Sequence, residues 1–158
     1  VKERYALIAA LLAWMVSDHA AAQQACTEMG CQNGLQLTVA PDYRWSPGAY
    51  VFKFLVDGVA IQCRGKLPLP SCDNPGLICD STAVTITESG CALPSAAHGF
   101  GMVQFADAPQ TVRVTITRDN VMLVDKNFTP EYRDVRPNGA QCEPTCHQAS
   151  AVLLTPSW

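Results

Sequence analysis

Alternation of apolar and polar residues is the strongest regularity along this chain. In Thr111 to Arg118 (TVRVTITR), Val112, Val114 and Ile116 point to one side, and Thr111, Arg113, Thr115 and Thr117 point to the other. A period of two is what a half-buried strand requires. The same pattern predicts strands at Leu35 to Val39, Ala49 to Val56, Val59 to Arg64, Thr82 to Glu88, Gly101 to Ala106, Val121 to Lys126 and Gln148 to Leu154. Short strands with turn signals at this spacing, and no helical pattern after residue 22, predict an all-β chain. The expected architecture is an antiparallel β-sandwich, immunoglobulin-like, of seven or eight strands. Tyr50, Phe52 and Phe54 share one face of one strand and are predicted to fill its core.

Two of the hairpins match without a gap. Pro47 to Ile61 (PGAYVFKFLVDGVAI) aligns with Pro109 to Leu123 (PQTVRVTITRDNVML): both have a leading Pro, alternating apolar positions, then Asp, a turn residue and Val. Asp57-Gly58 and Asp119-Asn120 suit the tight primed turns that join paired strands, because Gly and Asn tolerate positive φ. The match reads either as a repeat or as two hairpins that share turn chemistry, and the hairpins follow from both. Gly65 to Asp80 (GKLPLPSCDNPGLICD) interrupts the strands with prolines and two cysteines, and a loop of this length is expected to be functional or tied down.

The first residues read as an export signal. Lys2 and Arg4 are followed by an apolar run from Tyr5 to Val16 and by small residues ending at Ala22, so 1–22 is expected to be removed and 23–158 to form a single domain. The run is too short to span a bilayer as a helix, which takes about 20 residues. Lipid modification of Cys26 would anchor the chain, but Gln23-Gln24-Ala25 departs from the usual preceding pattern and argues against it. The expected location is the periplasm or the cell exterior. All eight cysteines, Cys26, Cys31, Cys63, Cys72, Cys79, Cys91, Cys142 and Cys146, lie beyond this segment. An even number in an exported chain implies a disulfide framework. Cys72 and Cys79 are the ties expected for the long loop, with Cys63 and Cys91 as neighbours within reach.

Composition excludes more than it identifies. With 11 Lys plus Arg against 14 Asp plus Glu and no run of either sign, the chain lacks the basic stripe that nucleic acid or an anionic membrane would select. Cys142-Glu143-Pro144-Thr145-Cys146-His147 is the most suggestive chemical motif. Haem attachment needs two residues between the cysteines and this segment has three. Zinc needs a second pair of ligands, which His98 and His147 do not supply in any recognisable spacing. Cys142 and Cys146 are therefore expected to join each other or two other strands, and no cofactor or metal is implied. A Gly-x-Ser-x-Gly elbow is absent, and His98-Gly99-Phe100-Gly101 only echoes an oxyanion loop. Tyr43, Arg44 and Trp45, in a proline-bounded connection, are the candidates for ligand binding; Trp45 either stacks on a ligand or folds back to cap the sandwich.

The signal-like start, the Gly48-x-Tyr50 strand leading into Asp57-Gly58 and Cys63, and the tail Pro137-Asn138-Gly139-x-x-Cys142-x-Pro144-x-Cys146 together resemble a loose group of small exported or lipoprotein-like, Cys-rich β-sandwich proteins of proteobacteria. That resemblance implies no activity and assigns no residue a role. The function expected from the sequence is non-catalytic: a binding or structural envelope component with a protein or glycan partner. The alternatives are a carbohydrate-binding module resting on Tyr43 and Trp45, and a small periplasmic hydrolase or metal-site enzyme using His98 or His147.

Overall fold

The computed structural model describes residues 25–74 and 76–156, so the expected export signal lies outside the described residues. Ten strands follow one another: β1 (Gly34–Val39), β2 (Gly48–Val56), β3 (Val59–Leu67), β4 (Ile78–Cys79), β5 (Val84–Ser89), β6 (Gly99–Phe105), β7 (Val112–Arg118), β8 (Val121–Phe128), β9 (Arg133–Val135) and β10 (Cys146–Leu154). They form two five-stranded sheets, ordered β5-β6-β1-β10-β9 and β4-β3-β2-β7-β8. The disulfide-stapled sandwich expected from the alternation is present. Pairing is antiparallel throughout, except that β1 and β10 run parallel.

The core lies where the two inner faces meet. Tyr50, Phe52 and Phe54 of β2 are at most 2% exposed and meet Leu35 and Leu37 of β1, Phe105 of β6 and Leu153 of β10. No charged side chain is buried among the described residues, so this core is held by apolar area and close packing.

The matching hairpins lie side by side. Strand β2 pairs with β7 so that Lys53 faces Thr115, the residue equivalent to it in the sequence match, and a local two-fold axis therefore passes between the hairpins. Both turns have positive φ at their two central residues, +47° and +87° at Asp57-Gly58 and +48° and +68° at Asp119-Asn120. The two turns also support each other's hairpins. The Asp57 carboxylate accepts from the Thr111 and Gln110 N–H groups, and the Asp119 carboxylate accepts from the Ala49 N–H. Asp57 N–H in turn donates to Thr111 C=O, and Asp119 N–H to Ala49 C=O. The likeness ends at a bulge opposite Ile116 and Thr117, after which Val124 and not Leu123 fills the core.

Two strands went unread in the sequence, β4 with two residues and β9 with three, each too short to show a period. The segment Gly65 to Asp80 is also less irregular than expected, because β3 runs on to Leu67 and β4 lies inside it. Every sheet edge is blunted in some way. Strands β4 and β9 are short, β5 and β8 each carry a bulge against their neighbour, and Lys126 of β8 reaches across to the Leu153 carbonyl of the other sheet.

Four disulfides staple the sandwich: Cys26–Cys142, Cys31–Cys146, Cys63–Cys79 and Cys72–Cys91. Cysteine pairing on this scale marks an oxidising, extracytoplasmic environment. No helix among the described residues is long and apolar enough to cross a membrane.

Candidate functional site

The connection after β1 and the connection after β5 meet at one end of the sandwich. Ala40 begins the first at a turn, with Tyr43 N–H donating to its carbonyl, and Arg44 Nη1 donates to Pro41 C=O at 3.2 Å. Residues 90–98 form the second, with a short 3-10 turn at Ser95–Ala97. Between them lies a cleft of about 500 Å³. Tyr43, Arg44 and Trp45 form one wall, Leu93, Pro94 and Ala97 the other. Arg44 is the one charged side chain in the lining, and Leu93 is 58% exposed.

Trp45 sits at the base of its wall, turned toward the core. Its ring meets Tyr43, Tyr50 and Phe100 edge-on, with centroids 5.1, 5.3 and 5.1 Å away, and its Nε1–H donates to Phe100 C=O at 2.8 Å. The indole thus caps the sandwich, the second of the roles open to it in the sequence, while one margin lines the cleft. Gly99 makes this packing feasible, because a Cβ there would lie 2.4 Å from Trp45 Cδ1. Gly101 likewise leaves space for Thr87, whose hydroxyl would be 2.9 Å from a Cβ. The glycines of His98-Gly99-Phe100-Gly101 therefore have packing reasons. Burial raises the Tyr43 hydroxyl pKa, with Arg118 pulling it the other way, so at neutral pH the ring presents a phenol.

His98 is a bracket in the second wall. Its Nδ1 accepts from Leu69 N–H at 3.0 Å, which places the proton on Nε2, 2.9 Å from Leu93 C=O. With both nitrogens engaged, the neutral ring ties the cleft wall to the loop after β3. Cys72–Cys91 ties the same two loops a second time, the pairing that the long loop was expected to need. Cys63–Cys79 closes the other predicted tie, between β3 and β4.

Cys142 and Cys146 reach across to the chain start, to Cys26 and Cys31, and not to each other. Asn138 completes this clamp. Its Oδ1 accepts from Thr27 Oγ1 and Met29 N–H, and its Nδ2 donates to Met29 C=O and Glu143 C=O. His147 lies at the start of β10, stacked on Tyr132 at 5.0 Å with Nδ1 3.0 Å from Asp134 Oδ1. Leu154, at the far end of β10, bonds Ala40 beside the cleft, so His147 and His98 occupy opposite ends of the sandwich and form no common site.

Residue type marked Tyr43, Arg44 and Trp45 on one wall of the cleft and His98 on the other, but not the apolar residues beside His98. Leu93, Pro94 and Ala97 carry no chemical signature, and Cys91 and His98 beside them were the signals that this loop is held in place. Comparison with protein-family models, with curated proteins and with solved structures finds no match to this chain.

Proposed function

We propose that the protein is an exported, non-catalytic binding domain or envelope component, with 1–22 as its export signal. We place its partner site in the cleft between residues 40–47 and 90–98. The observation that carries this reading is the convergence of two separately pinned loops on one apolar cleft with a single cation at its rim. Arg44 without a neighbouring carboxylate in the lining favours an apolar segment of a protein partner that carries an acidic group. Trp45 is packed among other rings, so a protein segment lying along its margin suits the cleft better than a sugar stacked on its face.

Titration of the oxidised protein with N-acetyl-leucine and with its uncharged amide tests the proposal. The carboxylate form should shift the Trp45 indole and Leu93 methyl resonances, and Arg44→Ala should remove its advantage over the amide. Equal shifts by both compounds, or none at about 10 mM, would overturn it.

A second reading, from the enzyme class, rests on His147. Asp134 orients its Nδ1, and its Nε2 has no partner among the described residues, the arrangement of a general base. Slow ester hydrolysis lost in His147→Gln would support that reading, and hydrolysis that survives the substitution would remove it.

A further inference from the structure

The outer face of the sheet β5-β6-β1-β10-β9 differs in chemistry from that of its partner sheet. Across the partner sheet the outward positions include Lys53, Arg64, Arg113 and Asp125, with Arg113 and Asp125 joined by two hydrogen bonds of 2.8 Å. On the first sheet, Thr85 stands opposite Gln104, Gln104 opposite Gln36, and Gln36 opposite Ser150. Four uncharged polar side chains thus cross four strands in one row, with directly opposed neighbours about 5 Å apart; Gln104 is held within it by bonds from Nε2 to the Asn33 and Phe105 carbonyls, which leaves Thr85, Gln36 and Ser150 facing outward.

The row ends in a cleft. Strand β9 pairs with β10 only from Cys146 to Gln148, so beyond Gln148 the side of β10 is open, and the connection from β8 to β9 stands off it. The space left is about 520 Å³, with Leu35, Phe128 and Ala149 among its apolar walls. Its polar lining comprises Gln36, Gln148, Ser150, Thr129, Glu131 and Arg133. Gln148 donates through Nε2 to Gln32 C=O, and the other five have no side-chain hydrogen bond among the described residues. Glu131 and Arg133 form no ion pair with each other.

We infer that this row and cleft bind an extended, uncharged, hydroxyl-rich ligand: a neutral glycan strand lying across the sheet with one end in the cleft. A planar amide both donates and accepts, as a sugar hydroxyl does, so Gln36 and Gln148 can each hold a pair of hydroxyls. Uncharged groups along the row cost less to desolvate than charges would, and the cleft's one carboxylate and one guanidinium leave it without net charge to favour an ionic ligand. This site is separate from the cleft at Trp45 and does not depend on its role.

The test uses the oxidised full chain, titrated with cellohexaose and with the hexamer of N-acetylglucosamine, and read by nitrogen-edited NMR. Saturable shifts at the Gln36 and Gln148 amides and the Arg133 Nε–H, with Trp45 unmoved, are expected for at least one of them. Gln36→Ala combined with Ser150→Ala should weaken that binding about tenfold or more, with thermal unfolding unchanged. Direct mapping on the unsubstituted protein keeps the proposal open to refutation if the double variant misfolds. No shift at Gln36 up to about 10 mM, shifts confined to Trp45 and Leu93, or tighter binding of polygalacturonate, an acidic glycan, would each overturn it.

Discussion

Gly99→Ala isolates what holds Trp45 in place. The added methyl would sit 2.4 Å from Trp45 Cδ1, where carbon atoms normally keep about 3.5–4.0 Å. The indole must therefore retreat by more than 1 Å, roughly speaking. It cannot retreat inward, because Tyr50 and Phe100 stand 5.3 and 5.1 Å behind it, centroid to centroid, and both are buried. Movement outward carries it into the cleft and breaks the 2.8 Å bond from Nε1 to Phe100 C=O. Overpacking of this kind costs about 1–3 kcal/mol and the lost hydrogen bond about 1 kcal/mol, so the expected destabilisation is about 2–4 kcal/mol. Gly30→Ala is the control, since a Cβ there meets nothing within 4 Å. Chemical denaturation under oxidising conditions gives both values, and the Trp45 indole resonance reports the broken bond. A Gly99→Ala protein as stable as Gly30→Ala, with that resonance unmoved, would refute the account of the cleft wall.

Phe52→Ala should cost about 3–5 kcal/mol in the same assay, whereas Thr115→Ala, on the outer face directly across from Lys53, should cost far less. Asp57 is held below the ordinary carboxylate pKa, chiefly by the Thr111 and then the Gln110 N–H, so its contribution is present at neutral pH and lost as pH falls from about 4 through the depressed value. Asp57→Asn should flatten that part of the acid unfolding curve while leaving the slope above about pH 6 unchanged. Replacing Cys142 and Cys146 together by Ser removes bridges spanning 116 and 115 residues. The first such closure is worth about 4–5 kcal/mol and the second, within a ring already nearly closed, about 2–3 kcal/mol, so the double variant should unfold far below the parent temperature yet keep both proposed sites when folded. Replacing Cys72 and Cys91 together by Ser should cost about 3 kcal/mol and also weaken N-acetyl-leucine binding, because it frees the wall bearing Leu93.

The parts of the fold legible in the sequence are those whose physics is local. Alternation located the eight longer strands, and Asp57-Gly58 and Asp119-Asn120 declared their turns through residues that accept positive φ. Strands β4 and β9 were hidden because two or three residues cannot display a period, and their pairing comes from neighbours, a disulfide in one case. The pairing of Cys142 with Cys26 could not be read, since it depends on the ends of the chain meeting. Of the candidate site, Tyr43, Arg44 and Trp45 announced themselves by residue type. Leu93, Pro94 and Ala97 are ordinary residues that become a wall only through where His98 and Cys91 hold them. The polar row of Thr85, Gln104, Gln36 and Ser150 is drawn from four distant strands, so no window of sequence contains it.

The parallel pairing of β1 with β10 sets the order in which the chain can fold. Strand β1 has neighbours only in β6 and β10, and its register with β10 joins Gly34 to Gln148 and Leu35 to Ala149. Closing a loop of that length is entropically late, whereas β2 with β3 and β7 with β8 close through two-residue turns. Loop entropy therefore favours the hairpins first and the pairing of β1 with β10 last. The clamp of Cys26 and Cys31 onto Cys142 and Cys146 then locks a closure that loop entropy leaves to the end of folding.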